Sequence, residues 1–211
     1  LWARQTNQDG GLLGRPIELI IKNDHSSVEK AQEIYRNFID SENIDLLFAP
    51  YGTPITLAVS EVTEAAGYVL IAGGASGTQI WDRGYKYVFG VYSTADRYFI
   101  GFLDLIARNG FRELTIIHEN NPFNIDAAMG AVEWASKMGI HVKNRISYEP
   151  KKETVERICE RTTFTEKEAL ILCAYPDEGH ALLQALSHYP KRPSAICMTI
   201  APIHPHFATR A

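Results

Sequence analysis

A chain of 211 residues with 45% hydrophobic and 22% charged residues has an ordinary globular composition, with length for one core or two small ones. Its net charge of −4 argues against nucleic-acid binding, because no surplus of Lys and Arg exists to neutralise phosphates. No apolar run reaches the roughly 20 residues that a bilayer span requires, so a soluble chain without membrane insertion is expected.

Leu1–Arg4 reads as the last turns of a helix, and Ile17–Asn23 as the first strand. Ser27 is placed to cap a helix over Val28–Ser41, with Ala31, Ile34, Tyr35 and Phe38 on one face and Glu29, Lys30, Glu33 and Arg36 on the other. A strand at Ile44–Ala49 precedes Thr53-Pro54, which reads as an N-cap and a proline in the first helical position. That helix stops at Gly67. Strands follow at Tyr68–Ala72, Tyr87–Val91, Leu114–His118, Val142–Tyr148, Ala169–Cys173 and Ala195–Met198. Between the later ones lie helices over Thr94–Asn109, Asn124–Met138, Lys152–Thr162 and Asp177–His188. The strand interiors are near-continuous aliphatic runs, the pattern of strands covered on both faces.

Strand–helix alternation with short loops predicts an α/β fold with parallel, doubly wound sheets. The architecture recurs before and after Tyr92-Ser93-Thr94. Two lobes are therefore expected, 1–92 and 93–211, with a hinge near 91–94. Cys159, Cys173 and Cys197 are widely spaced, without a C-x-x-C pair, and read as small hydrophobes. His204-Pro205-His206 lacks an evident third ligand, so no metal site is expected. Neither a P-loop, a G-x-G-x-x-G run nor a G-x-S-x-G elbow occurs, and no cofactor is expected.

Two loops carry the functional reading. Strand Leu46–Ala49 runs into Pro50-Tyr51-Gly52-Thr53, and strand Val69–Ala72 into Gly73-Gly74-Ala75-Ser76. Each lies at the carboxyl end of a parallel strand, where open α/β sheets bind ligands. Glycine admits a ligand to the backbone, while Thr53 and Ser76 offer hydroxyl and amide donors. Side by side, they make a seat for a small anion, most simply a carboxylate. The plainer reading of Thr53 is a helix cap; capping and anion binding are compatible at a helix N-terminus.

The run Gly10-Gly11-Leu12-Leu13-Gly14-Arg15-Pro16-Ile17-Glu18-Leu19, with Asp24-His25-Ser26, Lys30-Ala31, the two glycine loops, Asn121-Pro122-Phe123 and Ala174-Tyr175-Pro176, resembles the periplasmic branched-chain amino-acid-binding proteins. These are type I solute receptors of ABC importers. The resemblance implies two lobes that close on a small carboxylate-bearing ligand, a hydrophobic or branched-chain amino acid or a related carboxylate, with an extracytoplasmic location and the membrane subunits of an ABC transporter as partners. It implies that Thr53 and Ser76 hold a carboxylate and that Gly74, beside Ala75, offers its carbonyl to an ammonium. Tyr51 would line the cleft, with Phe123 and Tyr175 closing over the ligand. Phe123 reads equally as a hydrophobic staple for the next helix.

Two departures stand out. The family's acid on the loop after Ala195–Met198 is missing from Thr199-Ile200-Ala201-Pro202, so the carboxylate seat survives better than the amine seat. The family's first strand and a long C-terminal portion are also missing, so the chain reads as incomplete at both ends and the working protein is expected to be longer. An alternative is a ligand-sensing domain of a receptor or regulator with the same fold. A further rival is an α/β enzyme acting through His118 or Glu119.

Overall fold

The computed structural model describes residues 1–41, 44–205 and 207. In chain order its elements are α1 (Trp2–Gln8), α2 (Val28–Asp40), β1 (Leu47–Phe48), α3 (Thr53–Ala66), β2 (Leu70–Ala72) and β3 (Val88–Gly90). There follow α4 (Ile100–Arg108), β4 (Glu113–Glu119), α5 (Pro122–Lys137), β5 (His141–Tyr148), α6 (Val155–Arg161), β6 (Glu168–Cys173), α7 (Pro176–Ser187) and β7 (Ala195–Met198). Short 3-10 turns lie at Thr78–Ile80, Ala95–Arg97 and Ala201–Ile203.

These strands form two sheets, β1-β2-β3 and β5-β4-β6-β7, and every pairing is parallel. The second order puts the first strand of the unit inside and its successor at the edge, as in doubly wound folds. Central strands β4 and β6 are buried along nearly their whole length, with aliphatic runs at Ile116–Ile117 and Leu170–Leu172, because helices cover both faces. Leu114 and Ile116 pack with Phe99, Leu103, Ile106 and Ala131 on one side. Ile117, Leu170 and Leu172 pack with Ile158, Leu182 and Leu186 on the other. The first sheet has one core, where Tyr35 and Phe38 of α2 and Val59 of α3 meet Leu47, Leu70 and Val88.

Several expectations need correction. Ile17–Asn23 forms no strand, and Leu19, Ile20 and Ile21 are exposed. A strand exists only with a neighbouring strand in its ladder, and neither of the two described sheets includes this segment. The Asn7 side chain instead brackets Ile17, accepting from its N–H at 2.6 Å and donating to its carbonyl at 2.8 Å. Of Ile44–Ala49, only Leu47–Phe48 joins the ladder. Double coverage also fails outside β4 and β6. Phe48 and Phe89 are 55% and 52% exposed on the open face of the first sheet, and edge strand β5 alternates with period two.

The helix expected over Thr94–Asn109 is broken into the turn at Ala95–Arg97 and α4. Ala95 N–H donates to the Ser76 carbonyl at 2.8 Å. From the other side α5 presses so close that a Cβ on Gly130 would lie 2.0 Å from the Asp96 carbonyl oxygen. Held on both sides, this backbone enters α4 only at Ile100. Ser27 caps α2 as expected, accepting from Lys30 N–H. Lys152–Thr162 shortens to Val155–Arg161. Arg83 pairs with Glu61 at 3.0 Å. Cys159 and Cys173 are buried, Cys197 half-buried; burial pushes the Cys159 thiol up to about 12. His206 of the His-Pro-His run lies outside the described residues. Among the described residues no helix is long and apolar enough to cross a membrane.

At the opposite end of the second sheet from the glycine loops, Glu168 is wholly buried at the start of β6. Its carboxylate accepts from Thr115 Oγ1, from Thr165 N–H at 3.2 Å and from Lys143 Nζ at 3.0 Å. Removing it strands the buried Thr115 hydroxyl and the Thr165 amide, while Lys143 keeps its bond to the Thr163 carbonyl. Glu168→Ala is expected to cost about 3 kcal/mol of stability in urea unfolding; a loss below about 1 kcal/mol would contradict this role.

Candidate functional site

The carboxyl ends of β1 and β2 carry the two glycine loops, and backbone and side-chain bonds clasp them together. Gly52 N–H donates to the Gly74 carbonyl at 3.0 Å, and Gly77 N–H donates to Thr53 Oγ1 at 3.0 Å. The approach at Gly77 requires glycine, because a Cβ there would lie 2.3 Å from Thr53 Cγ2. Thr53 is therefore not the helix cap expected of it. Gly52, at φ 92°, occupies the N-cap, and Thr53 is the first helical residue with its oxygen turned to the neighbouring loop.

This clasp sets the Thr53 side chain against the residue that follows Ser76. Both residues are buried, at 1% and 4% exposure. Ser76 Oγ accepts from Tyr98 Oη at 2.8 Å. Each hydroxyl uses an acceptor site in these bonds and keeps its own hydrogen to donate. The Gly74 carbonyl already accepts from Gly52, and a Cβ at Gly74 would meet the Tyr51 ring at 3.1 Å. Tyr51 is exposed, and Ala75 is buried beneath the loop.

Across from these loops stand the carboxyl ends of β4, β5, β6 and β7. Tyr175 is half-buried and forms the N-cap of α7. Burial raises its hydroxyl pKa, and the nearby Glu119, Tyr51 and Glu178 raise it further. Tyr51 likewise adds to the upward shift that burial imposes on Tyr98, against the Ser76 hydrogen bond. The two sheets thus bring Tyr51, Tyr98 and Tyr175 within electrostatic reach. Phe123 is not at an open wall. It is 6% exposed and packs edge-to-face on Tyr98, with ring centroids 5.6 Å apart. The acid-free loop after β7 is tied to β6 by Thr199, whose Oγ1 donates to the Ala174 carbonyl at 2.8 Å and accepts from its N–H at 3.1 Å.

Three participants were not visible to sequence reasoning. Tyr98 follows the 3-10 turn and reaches Ser76 only through the fold. Asp126 of α5 ties the second half to the first: its carboxylate accepts from Thr78 N–H at 2.7 Å, Thr78 Oγ1 at 3.0 Å and Gln79 Nε2 at 2.7 Å. Burial nonetheless raises its pKa, opposed by the Thr78 bonds and aided by Asp96 and Asp82. Tyr148 ends β5 in register with Glu119. Its position at a strand tip was the available signal.

Catalytic geometry finds little support here. Burial lowers the His118 pKa, a hydrogen bond to the Glu119 carbonyl opposes that, and Arg145 adds to the lowering; Nδ1 stands 3.2 Å from this oxygen. Cys173 is paired with His118 in register, but burial raises its thiol pKa well above the ordinary value, keeping it a poor nucleophile. A separate groove between α2 and α3, bordered by Gln32, Arg36, Glu61 and Ala65, is made by helix flanks rather than strand tips.

Two parallel α/β sheets, with hydroxyl-bearing loops on one set of strand tips and aromatic and acidic side chains on the other, define the architecture of type I periplasmic binding proteins. The chain belongs to the periplasmic binding protein family, whose model, described as "Periplasmic binding protein", matches residues 1–188. It is 22% identical over 139 residues to an amino acid binding protein of Pseudomonas aeruginosa, covering 65% of this chain and 37% of that protein. Among solved structures it is similar to an ABC transporter substrate-binding protein of Desulfitobacterium hafniense in complex with Leu, with 18% identity and a TM-score of 0.78. That match covers 93% of this chain and 58% of the other. It is similar also to a fatty acid ABC transporter substrate-binding protein of Thermomonospora curvata, with 19% identity, a TM-score of 0.78 and coverage of 98% and 54%. A third is the solute binding protein of an ABC transporter from Rhodopseudomonas palustris BisB5 in complex with 3,4-dihydroxy benzoic acid, with 17% identity, a TM-score of 0.74 and coverage of 93% and 55%.

Asp126→Ala removes the acceptor that ties Thr78 and Gln79 to α5. The Thr78 amide is expected to exchange at least about tenfold faster in native-state hydrogen exchange, matching the loss of roughly 1–3 kcal/mol for charge-assisted bonds. Unchanged protection would show that Asp126 does not hold the halves together.

Proposed function

We propose that this chain is the ligand-recognising part of an extracytoplasmic solute receptor that delivers a small carboxylate-bearing compound to an ABC importer. The observation that carries the reading is the clasp at Gly77, which joins Thr53 and Ser76 at neighbouring strand tips with two hydroxyl hydrogens still to donate. Leucine, dihydroxybenzoic acid and a fatty acid, named for the structural relatives above, all carry a carboxylate.

On this reading Thr53, Ala75 and Ser76 receive the carboxylate, with hydroxyl bonds to a charged acceptor worth about 1.5–3 kcal/mol each. Tyr51 and Tyr175 flank it from the two sides. Gly74 offers the second lone pair of its carbonyl, and Phe123 supports Tyr98 from beneath. The lobes are residues 1–92 and 93–211, hinged near 91–94. A ligand that touches both favours the closed state, and the transporter's membrane subunits read that closure. Binding and release suffice, so no catalytic step is assigned.

A thermal-shift screen of the intact protein against amino acids, aliphatic and aromatic carboxylates and the matching amides is expected to raise Tm for carboxylates and not for amides. Thr53→Ala and Ser76→Ala are each expected to weaken the best carboxylate more than about tenfold by calorimetry. Affinity unchanged in both variants would remove the seat.

A further inference from the structure

A single turn of chain grips Ser76 at two points. Ala95 N–H donates to its carbonyl at 2.8 Å, and Tyr98 Oη donates to its Oγ at 2.8 Å. Tyr98 N–H in turn donates to the Ala95 carbonyl at 3.1 Å, so both contacts share one stretch of backbone. The ring is held as well. Phe123 meets it edge-to-face with centroids 5.6 Å apart, and α5 closes on the turn at Gly130, where a Cβ would lie 2.0 Å from the Asp96 carbonyl oxygen. Burial raises the Tyr98 pKa, so the hydroxyl keeps the proton it donates.

The direction of the Tyr98–Ser76 bond has a chemical consequence. A serine hydroxyl has one hydrogen and two lone pairs, and left to itself it turns to donate or to accept. Tyr98 fills one lone pair of the buried Ser76, so the serine hydrogen cannot point at the tyrosine and is left for a guest. Thr53 Oγ1 is committed in the same way by Gly77 N–H at 3.0 Å. Backbone thus makes one hydroxyl of the seat a donor, and a side chain from beyond the proposed hinge makes the other. A carboxylate offers acceptors only, whereas a primary amide carries two N–H donors beside its oxygen. A donor-only seat suits the first and leaves the N–H groups of the second without partners, which is costly once buried. The chain from Tyr98 through Ser76 to a carboxylate also polarises in one direction, which strengthens its outer bond.

We propose that Tyr98 is a positioning residue of the anion seat: by donating to Ser76 Oγ it reserves the serine hydrogen for the ligand, and so makes the seat select a carboxylate over its primary amide. The proposal rests on the carboxylate reading above and adds to it a residue that acts through Ser76 rather than on the ligand. Phe123 and the Ala95–Ser76 bond hold the tyrosine in place for that task.

The test uses calorimetry on the intact protein, with the best carboxylate of the screen beside its own primary amide. Wild type is expected to prefer the carboxylate by at least about thirtyfold. Tyr98→Phe removes one oxygen and keeps the ring on Phe123; the preference is expected to fall at least about fivefold. In a Ser76→Ala background the same change is expected to alter the preference by less than about twofold, because no hydroxyl is left to position. Carboxylate and amide weakened alike by Tyr98→Phe would reveal a packing role and overturn the proposal. A preference unchanged in that variant would overturn it too. Either result leaves the carboxylate seat standing where Ser76→Ala still weakens the carboxylate. A wild type that binds no carboxylate overturns both readings.

Discussion

Gly77 gives its N–H to Thr53 Oγ1, and Gly52 gives its N–H to the Gly74 carbonyl. These two bonds join loops that 20 or so residues of chain separate, and they do so at the one end of a parallel sheet where backbone N–H groups and helix starts point outward. Without them Thr53 would turn back to cap α3, its ordinary role at that position. With them the cap passes to Gly52, and the threonine hydroxyl becomes part of a shared surface with Ser76. Everything proposed about ligand recognition follows from that exchange of roles.

The same loop also couples the halves of the chain. The Ser76 carbonyl accepts from Ala95 N–H and its hydroxyl from Tyr98, while Thr78 and Gln79 are held by Asp126 of α5. A change at the anion seat is therefore felt directly by the segment after the proposed hinge and by the helix that follows β4. That is the physical connection a closing receptor needs, since a ligand shifts an equilibrium only through contacts that differ between its two states. Phe123 packs edge-to-face on Tyr98 and steadies that connection.

The parallel α/β class was legible because its signal is local. Aliphatic runs at Leu114–His118 and Ala169–Cys173, and glycine stops at Gly67, Gly110 and Gly139, reflect burial and backbone geometry that each segment carries by itself. Ile17–Asn23 has the same aliphatic signature but forms no ladder, because strand formation depends on a neighbour. The unbroken helix expected over Thr94–Asn109 failed for a related reason. Contacts from Ser76 and Gly130, both distant in sequence, decide the backbone there. Thr53 and Ser76 were found from their place after strands, and Tyr148 carries a similar mark at the end of its strand; Tyr98 and Asp126 carried no comparable local mark.

By itself, then, the order of residues determined the alternation of strands and helices, which loops hold glycine beside a hydroxyl, and that no acid follows β7. Those properties depend on spacing along the chain and on the preferences of single residues. Only the tertiary structure decided which hydroxyls meet, which carbonyls are already occupied, and that Asp126 of α5 holds the loop after Ser76. Such facts depend on distances between segments, and pairing and packing set those distances rather than any neighbouring residue in the sequence.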